Sequence, residues 1–165
     1  GGPHCLAAVR RMGRDGWLGI GWPKEYGGQG RSVVEQFIFY DEAWRALAPI
    51  PALTINAVAQ TIMAFGDEQQ KQFFLPRILR GELHFAVGYT EANAGTDLAS
   101  LQTRAVRDGD DWVIDGQKLY TSLAAYADYI WLAARTDPEA PKHRGISIFA
   151  VPTSAPGFSF SPIHT

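Results

Sequence analysis

Residues that could contact a polar ligand are concentrated in the segment 87–97, which reads V-G-Y-T-E-A-N-A-G-T-D. The apolar run His84–Val87 leading into it is typical of the start of a strand. Gly95 lets the backbone approach a ligand closely because it has no Cβ atom. Side-chain oxygens come from Thr90, Asn93, Thr96 and Asp97. A strand that opens into such a loop suits a polyanionic or heteroaromatic ligand held by backbone N–H groups and hydroxyls, although the same residues also fit an ordinary turn between strands.

A second segment with similar chemistry, Gly116–Ser122, follows further along the chain. In it, Tyr120 places an aromatic ring beside the hydroxyls of Thr121 and Ser122. Lys118 could act on a ligand or serve only the structure, because residues 115–118 also suit a turn that enters a strand.

Other common site types are not indicated. The sequence contains four scattered histidines, His4, His84, His143 and His164, none with a partner at metal-ligand spacing. Nothing specifies the base and orienting group that a catalytic Cys or Ser needs. There is no G-x-G-x-x-G turn entering a helix and no P-loop, so a nucleotide cofactor would have to bind by a route other than the Rossmann fold.

Composition bounds the class of protein. The chain has 165 residues, of which 46% are hydrophobic, enough for one or two small domains with a core. Its net charge of −2 gives no reason to expect nucleic acid or an anionic membrane surface as a partner. The single cysteine, Cys5, excludes an internal disulfide and is consistent with a cytoplasmic location. No signal peptide or membrane-length apolar run is visible, and the start without Met leads us to expect a piece of a longer protein.

Hydrophobic periodicity and capping signals predict four helices in the first half. The first helix covers Cys5–Met12, with Gly13 as its C′ residue, and the second begins at the cap residue Ser32. The third covers Ala52–Phe65 and ends at Gly66, and the fourth runs from Asp67 to Gly81. Pro76 is expected to kink or break the last of these. Helical spacing recurs in the second helix at Val33, Phe37, Tyr40, Trp44 and Leu47.

Beyond Gly81 the hydrophobic period changes from helical to alternating. The pattern predicts a hairpin around 108–110, strands over 129–134 and 145–151, and a further strand beginning at 158–160. Helices followed by strands indicate segregated elements and therefore an α+β fold. We predict an N-terminal helical domain over 1–82 and a β-domain over 83–165.

Taken together, the motifs resemble the acyl-CoA dehydrogenase family, whose signature is a T-E-x-x-A-G-[ST]-D loop followed by a G-x-K-x-x-[IT]-[ST] strand. Residues 90–97 match the loop and residues 116–122 match the strand. The resemblance extends to Gly21–Gly30 and to Gly66–Lys71 with the Pro76 that follows, in family order along nearly the whole chain. It implies a β-barrel-like middle domain, incomplete at its C-terminal end, and a C-terminal helical domain absent from this chain.

The family binds FAD against the middle domain. The cofactor-binding residues that the resemblance implies are Val87, Tyr89, Thr90, Gly95, Thr96, Tyr120, Thr121 and Ser122. The first two line the flavin pyrimidine edge that Thr90 holds, whereas Gly95 and Thr96 lie at the pyrophosphate. Thr96 is also the implied substrate-binding residue, facing the acyl-CoA. Ser122 is placed to hydrogen-bond flavin N5, the atom that receives the hydride.

Three positions depart from the family pattern: Tyr120 replaces the usual Trp, Leu123 the usual Asn, and Ala92 a frequent Pro. A Tyr ring can still cover a flavin face, so the FAD prediction is kept. With Lys142–Ser147, the change at Tyr120 resembles actinobacterial members that act on steroid side chains.

The implied reaction is the α,β-dehydrogenation of an acyl-CoA thioester to a trans-2-enoyl-CoA, in fatty-acid or steroid side-chain β-oxidation. A carboxylate removes the α-proton, and the electrons pass on to an electron-transfer flavoprotein. The catalytic Glu belongs to the C-terminal domain, so Glu91 is expected to stabilise its loop instead. A homo- or hetero-tetramer is implied. Two alternatives stay open: a non-catalytic subunit of a mixed oligomer, and a flavin-free binding domain whose hydroxyl motifs are ordinary turns.

Overall fold

The computed structural model describes residues 2–163 and divides into two compact units, Gly1–His84 and Phe85–Thr165. The first unit contains the helices α1 Pro3–Arg14, α2 Val33–Arg45, α3 Ala59–Phe65 and α4 Glu68–Leu79. The second contains the strands β1 Phe85–Gly88, β2 Arg104–Asp108, β3 Asp111–Asp115, β4 Tyr129–Arg135 and β5 Ile146–Pro152. The predicted order of helices followed by a sheet is confirmed. The domain boundary between residues 82 and 83 stays a prediction, and His164 lies outside the described residues.

The first helix is longer than its sequence signals indicate. Gly13 was predicted as the C′ residue, but α1 runs through it to Arg14, and the left-handed glycine is Gly16, with φ 80°. A Cβ atom on Gly13 would lie 2.4 Å from the carbonyl carbon of Arg80. The prediction was wrong because this glycine serves a close helix approach rather than a helix end.

Both predicted capping boxes are present. Ser32 Oγ accepts from the backbone N–H of Glu35, and the Glu35 carboxylate accepts from the backbone N–H of Ser32 at 2.9 Å. Asp67 and Gln70 make the same reciprocal pair at the start of α4. These contacts span three residues, so the sequence alone is enough to predict them.

Pro76, predicted to kink or break the fourth helix, does not break it. The helix α4 continues from Glu68 to Leu79 with Pro76 inside it. The neighbouring side chains of Leu75 and Ile78 are each 1% exposed. Burying two such side chains contributes about 3–6 kcal/mol, which offsets the roughly 3 kcal/mol cost of an interior proline.

The helix predicted over 52–65 forms, but its first part is π-helical over Thr54–Val58 before α3 begins.

The recurring apolar residues of α2 correctly predicted a helix but not which face of that helix is buried. Of those five side chains only Tyr40 is buried, at 9% exposure. The others are 56–90% exposed in this chain: Val33, Phe37, Trp44 and Leu47.

The sheet is built around β4. Strand β5 pairs with it antiparallel along its length, β1 pairs parallel with its first half, and β2 joins at the single pair Arg104↔Arg135. Strands β2 and β3 form the predicted hairpin, with Gly109 in its turn at φ 62°. Within residues 2–163 the pairings do not close into a ring, so the sheet is open. The strand predicted from Phe158 was wrong, because residues 158–160 form no ladder.

The core of the second unit lies beneath the loop that follows β1. Ala94, Leu101 and Ala133 are each no more than 1% exposed and form a cluster. Tyr89, Leu98 and Ile146 pack against it. The loop is therefore anchored by buried apolar contacts even though it carries many polar residues.

Candidate functional site

Strand β1 delivers the first candidate segment. Val87 is half-buried in β1, opposite Trp131 of β4. Gly88 follows, and a Cβ atom there would lie 2.7 Å from Cγ2 of Ile130. Tyr89 is half-buried; burial raises the pKa of its hydroxyl, opposed by a hydrogen bond from Trp131. The strand end is thus tightly fitted to β4.

Beyond the strand end, the backbone folds into a short turn. Glu91 N–H donates to Ala94 C=O at 2.9 Å, and Ala94 N–H donates back at 3.2 Å. Gly95 and Thr96 then lie exposed at the surface. Apart from its two chain neighbours, no described residue has an atom within 4 Å of a Cβ placed on Gly95, and its φ is not positive. Neither packing nor backbone conformation requires glycine there, which leaves close approach of a ligand as a physical reason for it.

The far end of this loop is tied to the segment between β4 and β5. Lys142 Nζ lies 2.5 Å from the carboxylate of Asp97, and Ser100 Oγ donates to the same oxygen at 2.6 Å. The hydrogen bond from Lys142, followed by that from Ser100, lowers the pKa of Asp97. Arg135 donates to the carbonyl of Ala99 at 2.7 Å. Asp97 is therefore engaged in fastening the loop.

The structure brings the second candidate segment against the first. The backbone N–H of Leu119 donates to the carbonyl of Thr90 at 2.8 Å. Lys118 Nζ donates to the carbonyl of Tyr89 at 3.1 Å and to Oε1 of Glu91 at 2.7 Å. Two segments whose contacting residues lie 27 to 29 positions apart thus form one site, and Lys118 and Leu119 connect them.

Glu91 is an ionised structural carboxylate. It accepts from the backbone N–H groups of Gln102 at 2.6 Å and Thr103 at 2.9 Å as well as from Lys118. Burial alone would raise its pKa, but the hydrogen bonds lower the pKa to about 2. A carboxylate so occupied is a poor proton acceptor near neutral pH. The expectation that Glu91 stabilises its loop is confirmed.

The second segment has an unusual backbone. Tyr120 has φ 54° and Leu123 has φ 66°, the left-handed region that residues with a Cβ atom rarely adopt. Their side chains are 75% and 62% exposed. The half-buried Thr121 and the exposed Ser122 lie between them. Strained conformations persist where surrounding contacts enforce them and are concentrated at functional sites. No sequence signal indicated these two conformations.

The hydroxyls named from the sequence are available to a ligand. Across residues 2–163, no hydrogen bond of the protein occupies the side-chain hydroxyls of Thr90, Thr96, Thr121 and Ser122. Backbone groups of Thr90 and Thr121 are used, through their carbonyls. Uncommitted hydroxyls beside an exposed aromatic ring and an unobstructed glycine fit a heteroaromatic, phosphate-bearing group such as FAD.

Other site types find no support in the described part of the chain. No group of three or more His, Cys, Asp or Glu residues within 2–163 could hold a metal ion. Over the same residues, no helix is both long enough and apolar enough to cross a membrane.

Comparison with known families assigns both units. The acyl-CoA dehydrogenase N-terminal domain matches residues 3–82, and the acyl-CoA dehydrogenase middle domain matches residues 86–165. Together the two matches cover nearly the whole chain.

Individual relatives point to the same family. The chain is 66% identical over 160 residues to the acyl-CoA dehydrogenase FadE26 of Mycobacterium tuberculosis, covering 95% of this chain and 40% of that protein. Among solved structures, Tcur3481–Tcur3483 steroid ACAD has TM-score 0.97 and 63% identity, covering all of this chain and 43% of that one. The ChsE4–ChsE5 complex from Mycobacterium tuberculosis has TM-score 0.95 and 63% identity, covering 99% and 42%.

The chain therefore spans about two fifths of the length of the relatives it matches. Within that span, the order of the two domains, the loop at 90–97 and the segment at 116–122 agree with one family. The chain belongs to the acyl-CoA dehydrogenase family.

Proposed function

We propose that this chain is the N-terminal and flavin-binding part of an FAD-dependent acyl-CoA dehydrogenase. The protein would convert an acyl-CoA thioester to its trans-2-enoyl-CoA. The observation that carries the proposal is the 2.8 Å hydrogen bond from Leu119 N–H to Thr90 C=O, which joins the two segments that the family uses for FAD. Two isolated turns would have no reason to converge in this way.

Different residues of the site would contact different parts of the cofactor. A bound FAD would supply the electron sink for the reaction. Thr90, with Val87 and Tyr89 beside it, would hold the pyrimidine edge, and Ser122 would donate a hydrogen bond at N5. Tyr120 and Thr121 would lie beside the ring system. The exposed ring of Tyr120 can cover a flavin face in place of the family's Trp.

The outer part of the loop would contact the phosphates. Gly95 allows the backbone N–H groups to approach the pyrophosphate, and Thr96 adds a hydroxyl there and toward the acyl-CoA. The contacts of Glu91 make it a poor base, and, as the family resemblance implies, the carboxylate that removes the α-proton would belong to the C-terminal domain of the intact protein. An electron-transfer flavoprotein would accept the electrons, and a tetramer in the cytoplasm would be the working form.

We further propose that the substrate carries a steroid. The support is the 63% identity to the Tcur3481–Tcur3483 steroid ACAD, together with Tyr120 and the segment 142–147, which resemble steroid-acting members. A bulkier acyl group would alter the contacts between the protein and the acyl chain, but not the two segments proposed to bind the flavin. Substrate class and cofactor binding can therefore be tested separately.

The deciding experiment is the visible absorption spectrum of the intact protein, followed by anaerobic addition of a saturated acyl-CoA. We expect a flavin band that bleaches with a steroid side-chain acyl-CoA and bleaches less with a straight-chain acyl-CoA of equal length. Bleaching by the straight chain alone would contradict the steroid assignment. Absence of a flavin band, even after FAD is added, would contradict the dehydrogenase.

A second candidate is a non-catalytic subunit of a mixed oligomer. Two observations favour it: the Tcur3481–Tcur3483 and ChsE4–ChsE5 proteins are each named for two components, and Tyr120 and Leu123 depart from the family pattern. This candidate predicts a protein without bound FAD that forms a stoichiometric complex with a second acyl-CoA dehydrogenase chain. Size-exclusion chromatography with flavin absorbance detection would separate it from the first.

A further inference from the structure

The ion pair between Glu91 and Lys118 is unusually buried. Their side chains are 10% and 7% exposed, and Lys118 Nζ lies 2.7 Å from Oε1 of Glu91. In seven other ion pairs of the described residues, at least one side chain is more than half exposed. Removing two charges from water costs several kcal/mol, so a pair in this environment is weak evidence for stability and calls for another reason.

The pair joins three stretches of backbone. Lys118 Nζ also donates to the carbonyl of Tyr89, and the Glu91 carboxylate accepts from the N–H groups of Gln102 and Thr103. Lys118 passes beside Gly88, where a Cβ atom would lie 3.5 Å from its Cγ. The ammonium and the carboxylate thus lie at the junction of the loop after β1, the segment before β2 and the segment after β3.

Each charged residue lies next to residues that the proposed function uses. Glu91 directly follows Thr90, and Lys118 precedes Tyr120 by two positions. Tyr120 adopts a left-handed backbone conformation, which costs about 1–3 kcal/mol and persists only where neighbouring contacts enforce it. The segment 118–122 is attached to the loop through Lys118 and the Leu119 N–H. Lys118 donates two of these three hydrogen bonds, to Tyr89 and Glu91, so the loss of its ammonium would remove most of that attachment.

We propose that Glu91 and Lys118 are positioning residues of the flavin site, which set the spacing between the Thr90 hydroxyl and the Ser122 hydroxyl. The inference rests on the flavin function proposed above. Neither side chain needs to touch FAD: both act through the backbone segments that carry Thr90 and Ser122.

The test compares three variants of the intact protein: Lys118→Met, Glu91→Gln and the double variant. Each single change leaves one buried charge unpaired, so both lower stability. The double change removes both charges and recovers stability relative to the single variants. We expect FAD to bind about 10–100-fold more weakly in all three, a loss of the size found when residues that orient metal ligands are replaced. The readouts are the FAD dissociation constant, the visible flavin spectrum and the melting temperature of the FAD-free protein.

The control is Leu75→Ala, which removes a side chain that is 1% exposed in the helical unit. It lowers stability by about 2–5 kcal/mol but leaves FAD affinity and spectrum unchanged at temperatures where the protein is folded. If FAD affinity recovers together with stability in the double variant, the pair is merely structural and the proposal is overturned. If Lys118→Met does not fold, the FAD affinity of Glu91→Gln tests the proposal, because Gln is nearly the same size as the native residue. A wild-type protein that binds no FAD would instead contradict the proposed function.

Discussion

The hydroxyl of Tyr40 donates a 2.9 Å hydrogen bond to the side-chain oxygen of Asn56, which joins α2 to the π-helical segment. Gln36 Nε2 donates to the same oxygen at 3.3 Å. Burial raises the pKa of Tyr40, so the hydroxyl stays protonated as the donor. A π-helical turn places Asn56 differently from an α-helical one, and this hydrogen bond fixes that position.

Tyr40→Phe should therefore destabilise the protein. The change removes the donor and leaves Asn56 with its weaker partner, at a cost of about 0.5–1.5 kcal/mol. Urea denaturation followed by circular dichroism measures the loss. Tyr126→Phe is the matched control, because Tyr126 is 48% exposed and the change should leave stability within error. Equal midpoints for the two variants would contradict the role of this hydrogen bond.

Gly13→Ala separates helix propensity from packing. Gly13 lies inside α1, where alanine is favoured by about 1 kcal/mol on propensity alone. The added Cβ would meet the backbone of Arg80 at 2.4 Å, so we expect a net loss of about 1–3 kcal/mol. Thermal unfolding measures whether the substitution raises or lowers the stability. Ala7→Gly, at an exposed position of the same helix, reports the propensity effect alone. A stabilised Gly13→Ala protein would show that α1 can shift away without cost.

The stability of the protein should fall in acid through Glu91. Its pKa is lowered from 4.5 to about 2 in the folded state, so the folded form binds the proton less readily than the unfolded chain. The stability contribution is therefore fully present above the unfolded pKa and is lost as the pH falls toward the folded value. From roughly pH 6 to pH 3 the loss is about 2 kcal/mol. Burial lowers the pKa of Lys118, which offsets part of the pair's contribution at neutral pH.

The measurement is the free energy of unfolding of wild type and Glu91→Gln across that pH range. The difference between the two proteins should shrink as the pH falls, because Gln does not titrate. A difference that stays constant with pH would mean that the carboxylate is not ionised in the folded state at neutral pH.

Gly95→Ala should weaken FAD binding without affecting the FAD-free protein. Beyond its two chain neighbours, no described residue contacts the Cβ position, so the melting temperature without FAD should not change. The extra methyl group would obstruct close approach of the pyrophosphate, and we expect about tenfold weaker FAD binding by fluorescence titration. Ser154→Ala, in an exposed turn, serves as the control. Unchanged FAD affinity would place the pyrophosphate away from Gly95.

Local signals accounted for much of the first unit. The pair Ser32 and Glu35 marked the start of α2, because each partner reaches the other within one turn. The exposure of Phe37 and the continuity of α4 through Pro76 could not be read in the same way. They depend on which faces are buried by distant residues and on how much burial offsets a local cost.

In the candidate site, too, some features were predictable from the sequence and others depend on distant contacts. Its hydroxyls and glycine were visible as residue types, and the family resemblance suggested their roles. The resemblance does not explain why Lys118 is buried against Glu91, or why Tyr120 has φ 54°. Both follow from contacts between residues that are far apart along the chain.

By itself, the sequence determined the starts of α2 and α4, the hairpin turn, the change from helical to alternating period and the family, since these are encoded within a few neighbouring residues or in short motifs. Only the tertiary structure decided that the segments around Thr90 and Ser122 meet, and that a buried ion pair joins them. A single sequence records which side chains are present but not which distant backbone groups they face. Hydrogen bonding and desolvation of Glu91 and Lys118 depend on that arrangement.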